Sequence, residues 1–157
     1  MSEVHIVAYD AAHSPHIRRI REAVFINEQG VASELEFDGL DDNAVQVLVG
    51  EPGQYVGTGR MLDDGHIGRI AILPEARGQG LGAKVVQALV AEANRLGYPG
   101  VYLSAQTHAL AFYFKLGFSL LGDEFMEAGI PHQSMVLKLD SATGENPTLV
   151  QKPARRQ

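Results

Sequence analysis

The sequence contains no cysteine and no tryptophan among its 157 residues. Without cysteine, disulfide bonds and thiolate metal sites are excluded, which fits a cytoplasmic protein. No apolar run approaches the roughly 20 residues that a membrane-spanning helix needs, and residues 1–20 lack the apolar stretch of a secretory signal. The formal charge of −6 supplies no basic field, so we expect neither nucleic acid nor a membrane as a partner.

What is present is an ordinary globular composition, with 45% hydrophobic and 20% charged residues. A chain of this length buries about two-thirds of its unfolded surface and forms one domain. We place that domain at residues 1–139. Residues 140–157 are rich in Ser, Thr, Gly, Asn and Pro, and this change in composition predicts a poorly packed tail.

Hydrophobic periodicity and turn residues predict the order strand, helix, three strands, helix, strand, helix, two strands. This order indicates an α+β fold, a mixed and mainly antiparallel sheet of about six to seven strands flanked by helices. The central strand, helix and strand should form a right-handed parallel unit. The predicted strands are 4–9, 44–49, 54–62, 66–73, 101–106, 118–121 and 133–139, and the helices begin at Ser14, Leu81 and Ala109.

The stretch Arg77-Gly78-Gln79-Gly80-Leu81-Gly82, here called the glycine loop, joins a buried strand to an amphipathic helix. The first N–H groups of a helix have no partner inside it, and the helix dipole places partial positive charge there. Glycine lets the backbone approach an anion closely, and a guanidinium such as that of Arg77 suits phosphate oxygens. The stretch therefore predicts a pyrophosphate-binding turn.

Two common nucleotide-binding motifs fit this turn poorly. A Walker phosphate loop needs a Gly-Lys pair followed by Ser or Thr, whereas Lys84 is followed by Val85. Gly78-x-Gly80-x-x-Ala83 matches a relaxed dinucleotide fingerprint, which also needs an acidic residue about 20 positions later. The next predicted strand ends in Gln106 instead, so a dinucleotide-binding enzyme remains only an alternative.

Arg77-x-x-Gly80-x-Gly82 resembles the Gln/Arg-x-x-Gly-x-Gly/Ala motif of the GNAT superfamily of acetyl-CoA-dependent N-acetyltransferases. Further along, Phe112-Tyr113-x-x-x-Gly117-Phe118 is similar to the superfamily's second motif, and Val24–Val31 resembles a subgroup of small bacterial members. The resemblance extends over residues 4–139. It implies the GNAT fold and acetyl-CoA as co-substrate, and a homodimer is common in this family.

The resemblance also implies which residues hold the coenzyme. The backbone of the glycine loop would bind the pyrophosphate, and a backbone N–H near Ala71 or Ile72 would stabilise the oxyanion of the tetrahedral intermediate. The cofactor-binding residues predicted in this way are Ala71, Ile72, Leu73, Arg77, Gly78, Gln79, Gly80, Leu81, Gly82 and Phe112.

Three residues are candidates for proton transfer. Tyr113 matches the tyrosine that often lies by the coenzyme sulfur in this family, so it is the predicted acid, with aromatic packing as the alternative role. Glu28, near the end of the first helix, is the first candidate for the general base. His132, on a predicted loop before the last strand, is the second because imidazole titrates near neutrality. Structural roles for both, and deprotonation through ordered water, remain alternatives.

Residues 32–43 form an acidic segment. A solvated loop is the simpler interpretation, and an acidic wall that attracts a cationic amine is the functional one. His13 and His16 come at a helix entrance without clustered carboxylates or cysteines, so we assign no metal site. The acidic residues of the segment are Glu34, Glu36, Asp38, Asp41 and Asp42.

Two functions of different classes follow from the resemblance. The first is an N-acetyltransferase that moves an acetyl group from acetyl-CoA to a primary amine of a small molecule or peptide, directly within a ternary complex. The second is a GNAT-fold module that binds an acyl-CoA without catalysing transfer. Acetylation across a panel of amines distinguishes them.

Overall fold

The computed structural model describes residues 3–139, and the predicted tail at 140–157 lies outside them. Within the described residues the chain divides into two compact units. The first unit comprises residues 3–63 and 67–89, and the second comprises residues 64–66 and 90–139. The prediction of one folded domain over residues 1–139 stays a prediction.

The regular structure of the described residues consists of seven strands, four α-helices, a π-helical segment after the first helix and two short 3-10 helices, Pro74–Ala76 and Thr107–Ala109. Most predicted elements are present within a few residues of their expected bounds. In chain order the elements are β1 Val4–Val7, α1 Ser14–Arg21, the π-helical segment Glu22–Glu28, α2 Ser33–Glu36, β2 Val45–Glu51, β3 Gln54–Met61, β4 Ile67–Ile72, α3 Leu81–Arg95, β5 Gly100–Gln106, α4 Leu110–Lys115, β6 Ser119–Glu127 and β7 Ile130–Lys138.

The strands form two antiparallel sheets. The first has the order β1-β2-β3-β4 and the second has the order β5-β7-β6. The α+β class and the mainly antiparallel pairing are therefore confirmed. The expected single sheet is instead two sheets, and parallel pairing among the described residues is confined to one isolated bridge between His66 and Tyr102.

The first helix packs its apolar face against the first sheet. Ile17 and Ile20 are fully buried in a cluster that includes Leu48 of β2 and Ala71 of β4. The helix does not use Ser14 as its N-cap. Asp10 supplies the acceptors instead. Its Oδ1 accepts a hydrogen bond from the His13 N–H at 3.0 Å, and its carbonyl oxygen accepts one from the Ser14 N–H at 2.8 Å.

The last two strands form a longer hairpin than the sequence predicts. β6 extends to Glu127, and Ala128 and Gly129 make the turn with φ of 53° and 76°. The ladder is irregular between Leu121 and Phe125, which accommodates Gly122 within the strand. Gly122 and Pro131 resemble strand breakers in the sequence, where they favour a loop. The predicted loop through His132 is nevertheless wrong, because that residue lies within β7.

Gly59 of β3 provides space for α3. A Cβ atom at this position would lie 2.5 Å from Cγ1 of the fully buried Val85. We expect Gly59→Ala to lower the free energy of unfolding by about 1–3 kcal/mol, because the extra methyl must displace a packed side chain. Urea denaturation measures the change.

Gly68→Ala is the matched control, since a Cβ at Gly68 meets no atom within 4 Å and its φ lies outside the left-handed region. Equal destabilisation by both substitutions would contradict the packing argument and indicate a general cost of losing glycine from these strands.

Candidate functional site

Two glycines of the glycine loop, with open space beside them, lead into the N-terminus of α3. Gly78 and Gly80 have φ of 79° and 77°, a left-handed conformation in which other L-residues are strained. The Lys84 N–H donates to the Gly80 carbonyl at 3.2 Å, so the 15-residue helix α3 starts directly after Gly80. The first-turn N–H groups, those of Leu81 and Gly82 included, therefore meet the requirement for an anion site.

Arg77 and Glu28, two predicted site residues far apart in sequence, bind each other. Arg77 donates from Nη1 to Glu28 Oε2 at 2.8 Å and from Nη2 to Glu28 Oε1 at 2.7 Å. Its Nε also donates to the Ile72 carbonyl at 2.8 Å. The hydrogen bonds from Arg77 lower the pKa of Glu28, so that the carboxylate stays ionised and is a weaker base.

The end of β4 follows an irregular stretch. Arg69 and Ile70 together oppose Gly59, and Arg69 has φ of 53°, which is strained for a non-glycine residue. Beyond this bulge, Ala71 is buried and pairs with Thr58. The predicted cofactor residues Ala71, Ile72 and Leu73 thus lie in or directly after a strand whose path is set by a bulge opposite Gly59.

Tyr113 of α4 lies among aromatic side chains of the second unit. Its ring meets Phe112 edge-on at a centroid distance of 4.9 Å and Phe118 at 5.9 Å. Burial raises the pKa of Tyr113 to about 12. The phenol therefore keeps its proton at neutral pH, as a proton donor must, while also packing among its neighbours.

His132 is less accessible than a residue on a loop. It is 7% exposed, stacks on Phe125 with ring centroids 6.0 Å apart, and donates from Nδ1 to the Ile130 carbonyl at 2.7 Å. Since a carbonyl only accepts, Nδ1 carries hydrogen and Nε2 is the remaining ring acceptor. Any base function of His132 would fall on Nε2.

The model of the family described as acetyltransferase (GNAT) domain matches residues 13–139. The chain belongs to this GNAT family. An uncharacterised N-acetyltransferase of Bacillus subtilis, YjcF, is 39% identical over 121 residues, which cover 74% of this chain and 86% of YjcF. The GNAT assignment by resemblance is therefore confirmed. The antiparallel sheets contradict the alternative of a dinucleotide-binding enzyme, whose fold has a parallel sheet.

Solved structures agree with the family. An acyl-CoA N-acyltransferase from Pseudomonas aeruginosa aligns with a TM-score of 0.78 and 29% identity over 87% of this chain and 99% of that one. A GNAT family acetyltransferase from Elizabethkingia anophelis, with acetyl-CoA bound, aligns with a TM-score of 0.67 and 16% identity over 88% of this chain and 98% of that one. The second likeness concerns the fold alone.

The acidic segment of this GNAT domain is not a simple solvated loop. Glu36 and Asp41 are buried, whereas Glu34 and Asp42 are exposed. The buried carboxylates and Asp38 bind three arginines within the first unit, so their charges are largely neutralised rather than displayed to a cationic substrate. We call this set the buried ion network after its four buried members, although Asp38 and Arg69 are partly exposed. It consists of Arg21, Glu36, Asp38, Asp41, Arg60 and Arg69.

Short contacts connect the buried ion network. Arg21 donates to Glu36 at 2.8 Å and to Asp41 at 2.7 Å, and it is fully buried. Arg60 donates from Nη2 to Asp38 at 2.7 Å and from Nη1 to Asp41 at 3.0 Å. The sequence did carry a signal for this network, namely arginines within apolar helix and strand segments opposite an acidic stretch.

Residues 3–139 contain neither a metal-binding cluster of side chains nor a membrane-spanning helix. No group of three or more His, Asp or Glu side chains lies close enough there to hold a metal ion. His13 contacts Asp10, and His16 packs edge-on against Tyr55 with ring centroids 5.1 Å apart. None of the helices in this part of the chain combines the length and apolar character that crossing a bilayer requires.

The buried ion network should make stability depend on acid pH. Burial acts to raise the pKa of Asp38, but hydrogen bonds from Arg60 and the Leu40 N–H, with the nearby arginine charges, lower it to about 2 from 3.8. Because the folded-state pKa is depressed, the stabilisation is complete above pH 3.8 and is lost as pH falls towards 2. We expect Asp38→Asn to lower stability at pH 7 by about 1 kcal/mol and to flatten this acid dependence.

Urea denaturation at pH 7, 4 and 3 measures both effects. Asp42→Asn, an exposed change in the same segment, serves as the control and should leave the acid dependence as in the wild type. An acid dependence unchanged by Asp38→Asn would show that other carboxylates are responsible.

Proposed function

We propose that this GNAT protein transfers an acetyl group from acetyl-CoA to a primary amine of a small molecule or peptide, directly within a ternary complex. The geometry of the glycine loop carries the proposal, because two left-handed glycines lead straight into the N-terminus of α3. The name of YjcF and the acetyl-CoA of the Elizabethkingia structure are consistent with it. The absence of cysteine excludes a cysteine acyl-enzyme and fits a cytoplasmic location.

Acetyl transfer makes three chemical demands. The amine must be deprotonated, because an ammonium with a pKa near 10.4 cannot attack a carbonyl. The tetrahedral intermediate needs a donor at its oxyanion, and the departing thiolate, with a thiol pKa of about 8.5, leaves more readily when an acid protonates it. A backbone N–H near Ala71 or Ile72 is the proposed oxyanion donor.

Tyr113 is the proposed acid. With a pKa of about 12, its phenol is protonated throughout the pH range in which an amine acceptor is active. It can donate this proton to the thiolate sulfur as the carbon–sulfur bond breaks, which leaves coenzyme A as the free thiol. Solvent then returns a proton to the phenolate.

The general base stays a prediction. Glu28 is bound by Arg77 and has a lowered pKa, and His132 is nearly buried with only Nε2 as an acceptor. These observations favour the family's other route, in which ordered water removes the proton. They also support the second candidate function, a GNAT-fold module that binds acyl-CoA without turnover.

Calorimetric titration of acetyl-CoA into the wild type and two variants tests the coenzyme site. We expect micromolar binding by the wild type and about tenfold or greater weakening by Gly80→Asp, because a carboxylate is placed where the pyrophosphate would lie. Gly80→Asn is the matched control, since Asn and Asp both tolerate the left-handed conformation and differ in charge. No wild-type binding, or equal binding by Gly80→Asp, would refute the assignment.

Tyr113→Phe tests the acid and separates the two functions. We expect about a 100-fold loss of kcat with an unchanged KM for acetyl-CoA, because the ring still packs but cannot donate. The free thiol released with each amine of a panel measures the reaction. Tyr9→Phe is the control, because Tyr9 lies outside the proposed chemistry. If the wild type binds acetyl-CoA but acetylates no amine, the binding module is the better account.

A further inference from the structure

We propose that Glu28 is a positioning residue that holds Arg77, and that Arg77 braces the glycine loop instead of binding the pyrophosphate through its side chain. The inference rests on the proposed function, since it concerns how the loop receives the coenzyme. It gives new roles to two residues for which the sequence predicts other ones, Glu28 as the general base and Arg77 as a phosphate ligand.

The side chain of Arg77 joins three parts of the first unit. Its backbone begins the glycine loop, its Nε donates to the carbonyl of Ile72 at the end of β4, and its two Nη atoms donate to Glu28. Glu28 is the last residue of the π-helical segment. One guanidinium thus connects the loop to a strand and to a helix end that are distant in sequence.

The pairing occupies the part of Arg77 that suits a phosphate. A guanidinium recognises phosphate and carboxylate with the same two-pronged arrangement of N–H donors, and here both prongs hold the carboxylate oxygens of Glu28. The lowered pKa of Glu28 and the raised pKa of Arg77, both arising chiefly from this hydrogen-bonded contact, keep the partners charged at neutral pH. A phosphate would have to displace an ionised carboxylate, whereas the N–H groups of α3 bind it without such competition.

The glycine loop needs an external brace in its first part, because residues 77–80 are exposed and the chain becomes buried only at Leu81. A Cβ at Gly78 or Gly80 would meet no atom within 4 Å, so the backbone there has open space beside it. Glycine loses more conformational freedom on ordering than other residues, and ordering a loop upon binding reduces affinity. Fixing Arg77 at the start of the loop lowers that entropic cost before the coenzyme arrives.

The brace should affect binding rather than fold stability. Arg77 and Glu28 are 42% and 41% exposed, and exposed ion pairs contribute little to the free energy of unfolding. The structure offers a matched pair with the same chemistry: Arg95 donates to both carboxylate oxygens of Glu92, at 3.0 and 2.6 Å, near the end of α3. Removing that pair should change neither property appreciably.

Calorimetric titration of coenzyme A into Glu28→Ala, Arg77→Ala and the double variant tests the inference. We expect each single substitution to weaken binding about fivefold and the double variant to be no weaker than the singles, because either change removes the whole brace. The charge exchange Glu28→Arg with Arg77→Glu should recover part of the affinity. All variants should keep the wild-type thermal midpoint, and Glu92→Ala with Arg95→Ala should bind coenzyme A like the wild type.

Two results would overturn the inference while leaving the proposed function intact. If Arg77→Ala weakens binding far more than Glu28→Ala, and Glu28→Ala binds equally or more tightly, Arg77 contacts the phosphate directly and Glu28 competes with it. If neither substitution affects binding, the pair is a surface contact only. Failure of the wild type to bind coenzyme A would instead refute the coenzyme site and the brace together.

Discussion

The first unit depends on one electrostatic constraint: a buried guanidinium must meet a carboxylate. Arg21 is fully buried and Arg60 nearly so, and removing one partner of such a pair would leave an uncompensated charge in a low-dielectric interior. The acidic segment satisfies this requirement by folding over the arginines of α1, β3 and β4. Arg69 also donates to the Glu36 carbonyl, which connects the strained bulge of β4 to the end of α2. The strand that leads to the glycine loop is thereby held by charge as well as by packing.

Next to this ion network, the glycine loop would contribute the proposed anion site, which consists of backbone N–H groups. Such a site requires no change of protonation state and no side-chain rearrangement to accept a pyrophosphate, since its donors are set by the start of α3. The Arg77–Glu28 pair would serve the same site, because the exposed first part of the loop, residues 77–80, becomes ordered through its first residue. Coenzyme affinity would then depend on two charged side chains that do not contact the coenzyme.

Sequence reasoning succeeded where a local pattern determines the structure, and it failed where distant residues meet. The extents of α3, β3 and β5 follow from periodicity and turn residues, and the start of α3 after Gly80 follows from the motif. The two-sheet arrangement, the β6–β7 hairpin through Gly122 and Pro131, and the burial of Glu36 and Asp41 depend on contacts between segments. Local propensity cannot report these contacts, because acidic residues are usually exposed and glycine and proline usually end strands.

The sequence by itself determined the family, the order of the seven strands and of helices α1, α3 and α4, and the existence of a glycine loop before a helix, because these depend on residues that are neighbours in the chain. It did not predict α2, which lies in the segment expected to be a loop. Only the tertiary structure decided which charges pair. It placed Glu28 on Arg77 rather than leaving it free as a base, moved His132 from a loop into a strand, and directed the acidic segment to arginines rather than to solvent. The physical reason is the same each time: pairing a charge or burying a ring depends on which segments come together, and that is a property of the folded chain.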